Sequence, residues 1–295
     1  MADVSSFAER TDTTRSSSLW RDTLRRLMER RLAVFGLVVV TLLVVAGLLG
    51  PILAPFNPNA IDMSLRFAPP SWDHPFGTDN LGRDIFSRVL YGAQVSLKVG
   101  LIAVGLALSV GTLLGVLSGY LSRIFDEIIM RIMDVMLSFP AILLAILLIA
   151  ALGRGVESAM IAIGIVYTPI FARIARAEVL SIRDKEYINA ARSVGIGNVR
   201  IVLRHILPNA MAPLIVETTL SLAFAILAEA QLSFFSLGVQ RPDPSWGRML
   251  LEGRSYLGQS VWLGVFPGLA IMVTVMGFNF LGDGLRDALD PRLKR

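Results

Sequence analysis

The sequence is 295 residues long, with 54% hydrophobic and 17% charged residues, and is too apolar for an ordinary soluble protein. It contains no cysteine, so disulfides and thiolate metal sites are excluded. The net charge of +5 does not by itself indicate nucleic-acid binding, because the cytoplasmic loops of a membrane protein produce such a surplus. No segment matches GxxxxGK(S/T), so we expect no P-loop and no ATP hydrolysis by this chain. We also expect the chain to bind no metal or cofactor.

Residues 1–31 form a polar N-terminal segment that ends in an amphipathic basic run. Five acidic residues lie among its seven arginines, and a long apolar stretch follows. This pattern favours an uncleaved signal anchor over a signal peptide. Residues 32–53 are the first predicted transmembrane helix.

Residues 54–94 are rich in Pro, Asn and Asp and predict a lid-like segment outside the membrane. Gly77 and Gly82 predict turns. Asp84 is placed to cap a short amphipathic helix that begins at the next residue. His74 has no second histidine or cysteine nearby, so a metal site there is not expected.

Residues 95–285 form the predicted core, with five more apolar runs of about 20 residues, the length of a helix that spans a bilayer. Together with the first helix they predict an all-α membrane protein with six transmembrane helices. An even number of spans places both termini on the same side. The five further spans are predicted at residues 96–121, 132–152, 158–174, 212–237 and 262–281.

Small residues and prolines mark these spans. Gly111, Gly115 and Gly119 recur every four residues and place a glycine stripe on one helix face, which in membranes marks close helix packing. Pro140 is predicted to bend the third span, and Pro169 lies inside the fourth.

The distribution of Lys and Arg predicts the orientation. With the N-terminus inside, 20 of the 28 basic residues lie in cytoplasmic segments and 7 lie in outer ones, with Lys98 at a span boundary. The positive-inside rule then makes both termini cytoplasmic, including the tail, residues 286–295. The lid-like segment is predicted to be extracytoplasmic.

The cytoplasmic loop, residues 179–209, holds the longest polar interval in the second half of the chain. Its first short helix is predicted to end at Gly195, since glycine readily adopts the backbone that ends a helix. A second helix is predicted to begin at Asn198 as N-cap and to end at Pro208.

The same loop also fits a helix-turn-helix DNA reader, but apolar spans lie within a few residues of both its ends, which excludes that interpretation. The small Ala190 and Ala191 would let another backbone come close. Basic residues surround them: Arg192, Arg200 and Arg204.

Polar side chains inside two spans are the candidates for a translocation path. Glu217, Glu229 and Gln231 lie in the fifth span and Tyr167 in the fourth. Intramembrane carboxylates are costly, so the two glutamates either line such a path, lie near a span end, or pair with Lys98 or with a polar group of a neighbouring helix. Two carboxylates twelve residues apart do not favour a proton antiporter. No catalytic arrangement of side chains is present, so an enzyme site is not expected.

The loop resembles the EAA loop of ABC-importer permeases, which has the pattern Glu-Ala-Ala, three residues, Gly, and a later Leu-Pro. Asn189 stands where that family usually has Glu, and Glu186, one turn earlier, is the candidate to supply the charge. His205 replaces the usual Ile. The resemblance assigns coupling to an ATPase to Glu186, Asn189, Ala190, Ala191, Arg192, Gly195, Leu207 and Pro208.

Four motifs in order extend the resemblance over nearly the whole chain, to the C-type permease of dipeptide, oligopeptide, nickel or glutathione ABC importers. It implies a type I importer fold in a bacterial inner membrane, with a second permease, two ATPase subunits that bind ATP and Mg²⁺, an extracytoplasmic binding protein, and a coupling helix within residues 186–200. The motifs are FGTDNLGRDIFSR (76–88), MRIMDVMLSFP (130–140), LRHILPN (203–209) and FNFLGDGLRDALDP (278–291).

The alternative to a permease subunit is a self-sufficient secondary carrier or channel. Inverted repeats would favour a carrier, and none is evident in the sequence. The substrate is not predicted, because the binding protein would determine it. Neither interpretation involves nucleic acid, and both place the chain in membrane lipid.

Overall fold

The computed structural model describes the backbone of residues 19–289 and the side chains of residues 24–289. The predicted N-terminal segment and C-terminal tail therefore lie partly outside the described residues. Within that range the predicted all-α class is confirmed, because no β-strand is present. The helices are α1 (Leu19–Glu29), α2 (Arg31–Leu53), α3 (Ile85–Tyr120), α4 (Arg123–Ser138), α5 (Ala141–Leu152), α6 (Val156–Ile182), α7 (Glu186–Ser193), α8 (Asn198–Ile201), α9 (Leu207–Phe234), α10 (Trp246–Arg254) and α11 (Trp262–Leu289).

Five helical stretches of the described chain are long and apolar enough to cross a membrane: α2, α3, α6, α11 and the continuous stretch Asn198–Phe234. Helices α4 and α5 together make a sixth candidate, but they meet at 100°. The break lies at Phe139 and Pro140, where a bend is predicted, because a proline holds the preceding residue in an extended conformation. The third predicted span is therefore broken rather than a straight helix.

Helix α3 is much longer than the predicted second span. The short amphipathic helix expected after Asp84 and that span form one helix of 36 residues. The carboxylate of Asp84 accepts a hydrogen bond from the backbone nitrogen of Ser87 at 2.7 Å, which satisfies one free donor of the first turn. The cap is where the sequence places it, and no break follows it.

The long helices form a bundle in which α3 packs on α6, α2 packs on α3 and α11, and α11 packs on α9. We define the lid end by residues 54–98 and 235–261, and the loop end by α1, residues 183–206 and the last turns of α11. Nη1 of Arg30 lies 2.7 Å from Oδ2 of Asp287. Both ends of the described chain therefore lie together at the loop end.

The glycine stripe lies where α3 contacts α6, and all three of its glycines are buried. A Cβ atom on Gly111 would lie 2.6 Å from the carbonyl oxygen of Thr168. On Gly115 it would come still closer to the carbonyl oxygen of Ala172. A side chain at either position would have to push the two helix backbones apart.

Candidate functional site

The turn between α7 and α8 is a Schellman motif. The backbone nitrogen of Ile196 donates to the carbonyl of Ala191 at 3.1 Å, and that of Gly195 donates to the carbonyl of Arg192 at 3.0 Å. Gly195 has φ of +82°, a left-handed conformation that is cheap only for glycine. The loop residue that the sequence assigns to ending the first helix does so.

One face of the loop rests on the bundle. The hydroxyl of Tyr120, at the end of α3, donates to Oδ1 of Asn198 at 2.9 Å. Asn198 is the first residue of α8 and Gly197 is its N-cap, so the predicted cap is wrong by one residue. The guanidinium of Arg192 lies 5.7 Å from the centre of the Tyr120 ring. The buried apolar side chains of this contact are Val179, Ile182, Ile188, Ile201 and Ile206.

The two adjacent alanines face in different directions. Ala190 is exposed, whereas Ala191 is 8% exposed and packs inside its own chain. Neighbouring residues of an α-helix are about 100° apart around its axis, so adjacent side chains can have different surroundings. Of these two alanines, Ala190 is therefore the one whose side chain is available to another protein, whereas Ala191 packs within this chain.

The opposite face of the loop is apolar and exposed. Val194 and Val199 are 77% and 73% exposed, and Leu203 and Tyr187 also lie in solvent. A shallow cleft of about 700 Å³ opens beside α8. Exposed valines and a leucine at a helical turn indicate a surface for a partner, because water is an unfavourable neighbour for them. The basic side chains that line this cleft are Arg200 and Arg204.

The other predicted coupling residues lie on or beside this face. Glu186 and Asn189 are exposed on α7. Leu207 is partly buried and Pro208 is exposed in the first turn of α9. Pro208 does not end a helix, contrary to the prediction. A short π-helix, Val202–Ile206, instead joins α8 to α9, and the helix continues through the proline.

Two of the four candidate path residues meet at one cleft. Tyr167 and Gln231 line a cleft of about 150 Å³ between α5, α6 and α9, whose other lining is apolar. Glu217 is partly buried on the same face of α9, two heptads before Gln231, and accepts a hydrogen bond from the hydroxyl of Ser221 at 3.0 Å.

Glu229 lies elsewhere, fully buried between α9 and α3. The hydroxyl of Ser233 donates to its Oε1 at 2.7 Å, and that of Ser96 lies 3.5 Å from its Oε2. Glu229 and Gln231 are about 200° apart around the helix and cannot line one cavity. In this structure Glu229 therefore does not line the cleft that Tyr167 and Gln231 share. It pairs with a polar group of a neighbouring helix, the alternative left open by the sequence.

A buried ion network joins the lid-like segment to α10. Arg83 lies 2.6 Å from Oδ2 of Asp79 and 2.9 Å from Oε2 of Glu252. Arg88, 1% exposed, lies within 4 Å of the same two carboxylates and donates to the carbonyl of Pro58 at 2.9 Å. The spacing of charges over 79–88 is visible in the sequence. Their partner Glu252 lies 169 residues after Arg83, so this pairing cannot be read from the sequence.

This network controls the charge state of Glu252. Burial by itself raises the pKa of Glu252, but the charges of Arg83 and Arg88 and a hydrogen bond from Arg241 outweigh it, so the pKa lies below its usual value. The carboxylate is therefore ionised at neutral pH and holds the lid end together.

No group of three His, Asp or Glu side chains that could hold a metal ion occurs within the part of the chain that the structure describes. The features that define the candidate site are thus the exposed face of the polar loop and the polar residues along α6 and α9.

Two family models match the sequence. One, described as the binding-protein-dependent transport system inner membrane component, matches residues 111–295. The other, described as the N-terminal TM domain of oligopeptide transport permease C, matches residues 18–70. The chain therefore belongs to the family of inner-membrane permease components of binding-protein-dependent transport systems. This confirms the resemblance drawn from the four motifs and favours a permease subunit over a self-sufficient carrier.

Several relatives are similar over most of their length. The dipeptide transport system permease protein DppC of Alkalihalophilus pseudofirmus is 47% identical over 94% of this chain and 91% of its own. The glutathione transport system permease protein GsiD of Escherichia coli is 45% identical over 93% and 91%. The probable D,D-dipeptide transport system permease protein DdpC of Escherichia coli is 46% identical over 88% of each.

A solved structure, the inward-facing MetNI methionine ABC transporter, matches with a TM-score of 0.57 at 19% identity. The match covers 69% of this chain and 96% of the other. At this identity it supports the fold alone, which is that of an ABC-importer permease.

Proposed function

We propose that this chain forms half of the translocation path of an ATP-driven importer for dipeptides or similar small peptides. Its partners are a homologous second permease, an extracytoplasmic binding protein and two ATPase subunits. ATP and Mg²⁺ are held by the ATPase subunits, and this chain performs no hydrolysis. The substrate class follows from relatives named as dipeptide, D,D-dipeptide and glutathione permeases.

The observation that carries the proposal is the exposed face of residues 186–204. Its apolar side chains project from a loop whose other face is fixed to α3 and α6. A rigid apolar projection with a basic rim fits into a groove of another protein, as coupling to an ATPase requires. Movement of the ATPase subunits would then be transmitted to α6 and α9, which flank the loop.

The orientation of this face is supported by charge. The segments at the loop end include the five basic residues from Arg183 to Arg204 and the arginines of α1. The positive-inside rule makes that end cytoplasmic, where ATPase subunits are found, and the lid end extracytoplasmic, where a binding protein would dock.

The path itself is proposed along the face of α9 that carries Glu217, Phe224 and Gln231, with Tyr167 opposite. Phe224 is 50% exposed and Gln231 is also exposed. A face with polar groups at intervals along a membrane helix is suited to a peptide, which has both charged ends and apolar side chains. The second permease would supply the other wall.

The docking proposal is tested with Ala190→Trp, which enlarges an exposed residue and leaves the buried face of the loop intact. Overpacking a fitted contact costs about 1–3 kcal/mol, so the ATPase should bind about five- to hundred-fold more weakly. The complex is purified by a tag on this chain, and the bound ATPase is quantified. The control is Ala60→Trp, the same change at an exposed residue of the lid end. Equal ATPase retention in both variants would remove the loop as the docking element.

A further inference from the structure

Helix α1 immediately precedes the first membrane-spanning helix. It has 11 residues, about 16 Å of helix, and is too short to cross a bilayer. A single extended residue, Arg30 (φ −100°, ψ 112°), separates it from α2. The chain therefore changes direction where α2 enters the membrane, and α1 is held at that level.

The described side chains of α1 divide into three faces. Leu27 is 5% exposed and packs near Gly284 of α11. Leu24 and Met28 are 56% and 54% exposed, and they lie about 40° apart around the helix. Arg25 and Glu29 pair on a third, polar face. The exposed leucine and methionine are not covered by any described part of this chain.

Exposed apolar side chains continue from α1 into the start of α2. Leu32, Phe35 and Leu42 of α2 are 62%, 46% and 62% exposed on a helix of high mean hydropathy, as expected for side chains in contact with acyl chains. Leu24 and Met28 begin one to two turns before Leu32.

A cleft of about 630 Å³ opens at the junction between α2 and α11. Its charged lining consists of three arginines and two aspartates, and one of these aspartates, Asp287, is already paired with Arg30. Arg31, Arg286 and Asp283 are exposed at this cleft, so beyond the Arg30–Asp287 pair its lining carries two positive charges and one negative charge. Leu32 and Phe280 form its apolar wall. Positive groups above an apolar wall match a phospholipid, with its phosphate above its acyl chains.

We propose that the cleft binds the headgroup of an anionic phospholipid, and that α1 lies in the membrane interface with Leu24 and Met28 among the acyl chains. Guanidinium groups of Arg31 and Arg286 contact the phosphate, for which their planar donor pairs are well suited. Lipid held there bridges the start of α2 and the last turns of α11, and so joins the first membrane helix to the last.

The binding test uses the full complex purified in mild detergent, with phosphatidylglycerol as the probe and phosphatidylcholine as the comparison. Native mass spectrometry counts the retained lipid. Each arginine removed near the phosphate should weaken retention about five-fold, and the double variant Arg31→Gln with Arg286→Gln about thirty-fold. Arg154→Gln changes an exposed arginine in the turn between α5 and α6, and this variant should retain phosphatidylglycerol like the wild type. Equal retention in the double variant and the wild type would overturn the proposal.

The position of α1 is tested in vesicles containing phosphatidylglycerol. Because the chain has no cysteine, Met28→Cys and Glu29→Cys each carry one spin label. The label at 28 should be accessible to oxygen in the acyl region, and the label at 29 to a water-soluble paramagnetic reagent. A label at 28 that is open to the water-soluble reagent, or inaccessible to both because a protein covers it, would contradict the proposal.

Discussion

Glu217 and Glu229 lie on one helix, yet their surroundings give them different roles. Glu217 is partly exposed beside Ser221 on the face that carries Gln231. Glu229 is enclosed and bound by Ser96 and Ser233. A carboxyl group whose hydrogen bonds join two helices contributes to stability, whereas one at an open face is available to a substrate.

Substitution of Glu229 should therefore affect stability, whereas substitution of Glu217 should affect transport. Glu229→Ala leaves buried hydroxyl groups without a partner and should destabilise the chain by about 1–3 kcal/mol. It should lower the midpoint of thermal unfolding in detergent. Glu217→Gln should leave that midpoint unchanged and alter the rate of dipeptide uptake by the reconstituted complex. Both roles would be contradicted if Glu229→Ala unfolded at the wild-type midpoint and Glu217→Gln supported dipeptide uptake at the wild-type rate.

At the residue scale, the sequence predicts what local backbone chemistry determines. Gly195 and Asp84 have the predicted roles, because a left-handed turn and a helix cap depend on only a few neighbours. The sequence does not predict that Ala191 is buried or that Glu229 binds serine hydroxyls, because the surroundings of both residues depend on which helix packs against them. The angle of about 200° between Glu229 and Gln231 follows from helix geometry alone and separates them.

Helices α3 and α6 show how small residues determine the geometry of a membrane bundle. The backbone of α6 approaches the glycine stripe so closely that no side chain fits between the two helices. Gly105, on the same helix, is exposed, and a Cβ atom added there would have no neighbour within 4 Å. The stripe and this glycine therefore differ in packing, although they share a residue type and a helix.

Gly115→Leu should force α3 away from α6, at a cost of at least about 1–3 kcal/mol. We expect less assembled complex, measured as the fraction of tagged chain that elutes with its partners in size-exclusion chromatography. Gly105→Leu adds the same side chain at an open position and should assemble normally. If both variants assemble equally, the close approach of the two helices is not what holds them together.

At the element scale, hydrophobic runs predict which segments are membrane helices but not how long or straight they are. Helix α3 begins 11 residues before the predicted span because its first turns are covered by α10 and the lid-like segment, so polar residues are tolerated there. The third span breaks by 100° at Pro140, an angle that proline alone does not determine. The short π-helix before Pro208 has no signature in the hydropathy pattern.

The whole molecule has two distinct ends joined by long helices. The buried ion network around Glu252 ties the lid-like segment to α10, so the lid end forms one unit. The loop end combines the exposed apolar face of residues 186–204, the cleft between α2 and α11, and both ends of the described chain. Helices α6 and α9 connect the two, which is the arrangement required if events at the ATPase are to change the path.

The proposed placement of the two ends, with ATPase subunits on the loop end, is tested by thiol labelling of two single-cysteine variants in sealed vesicles with a membrane-impermeant maleimide. Val199→Cys lies on the exposed face of the loop, and Trp72→Cys replaces a fully exposed residue of the lid-like segment. Position 199 should react only from the cytoplasmic side and should be protected when the ATPase subunits are bound. Position 72 should react only from the opposite side, with or without them. Labelling of both positions from the same side, or labelling at 199 that bound ATPase does not reduce, would contradict the proposed placement.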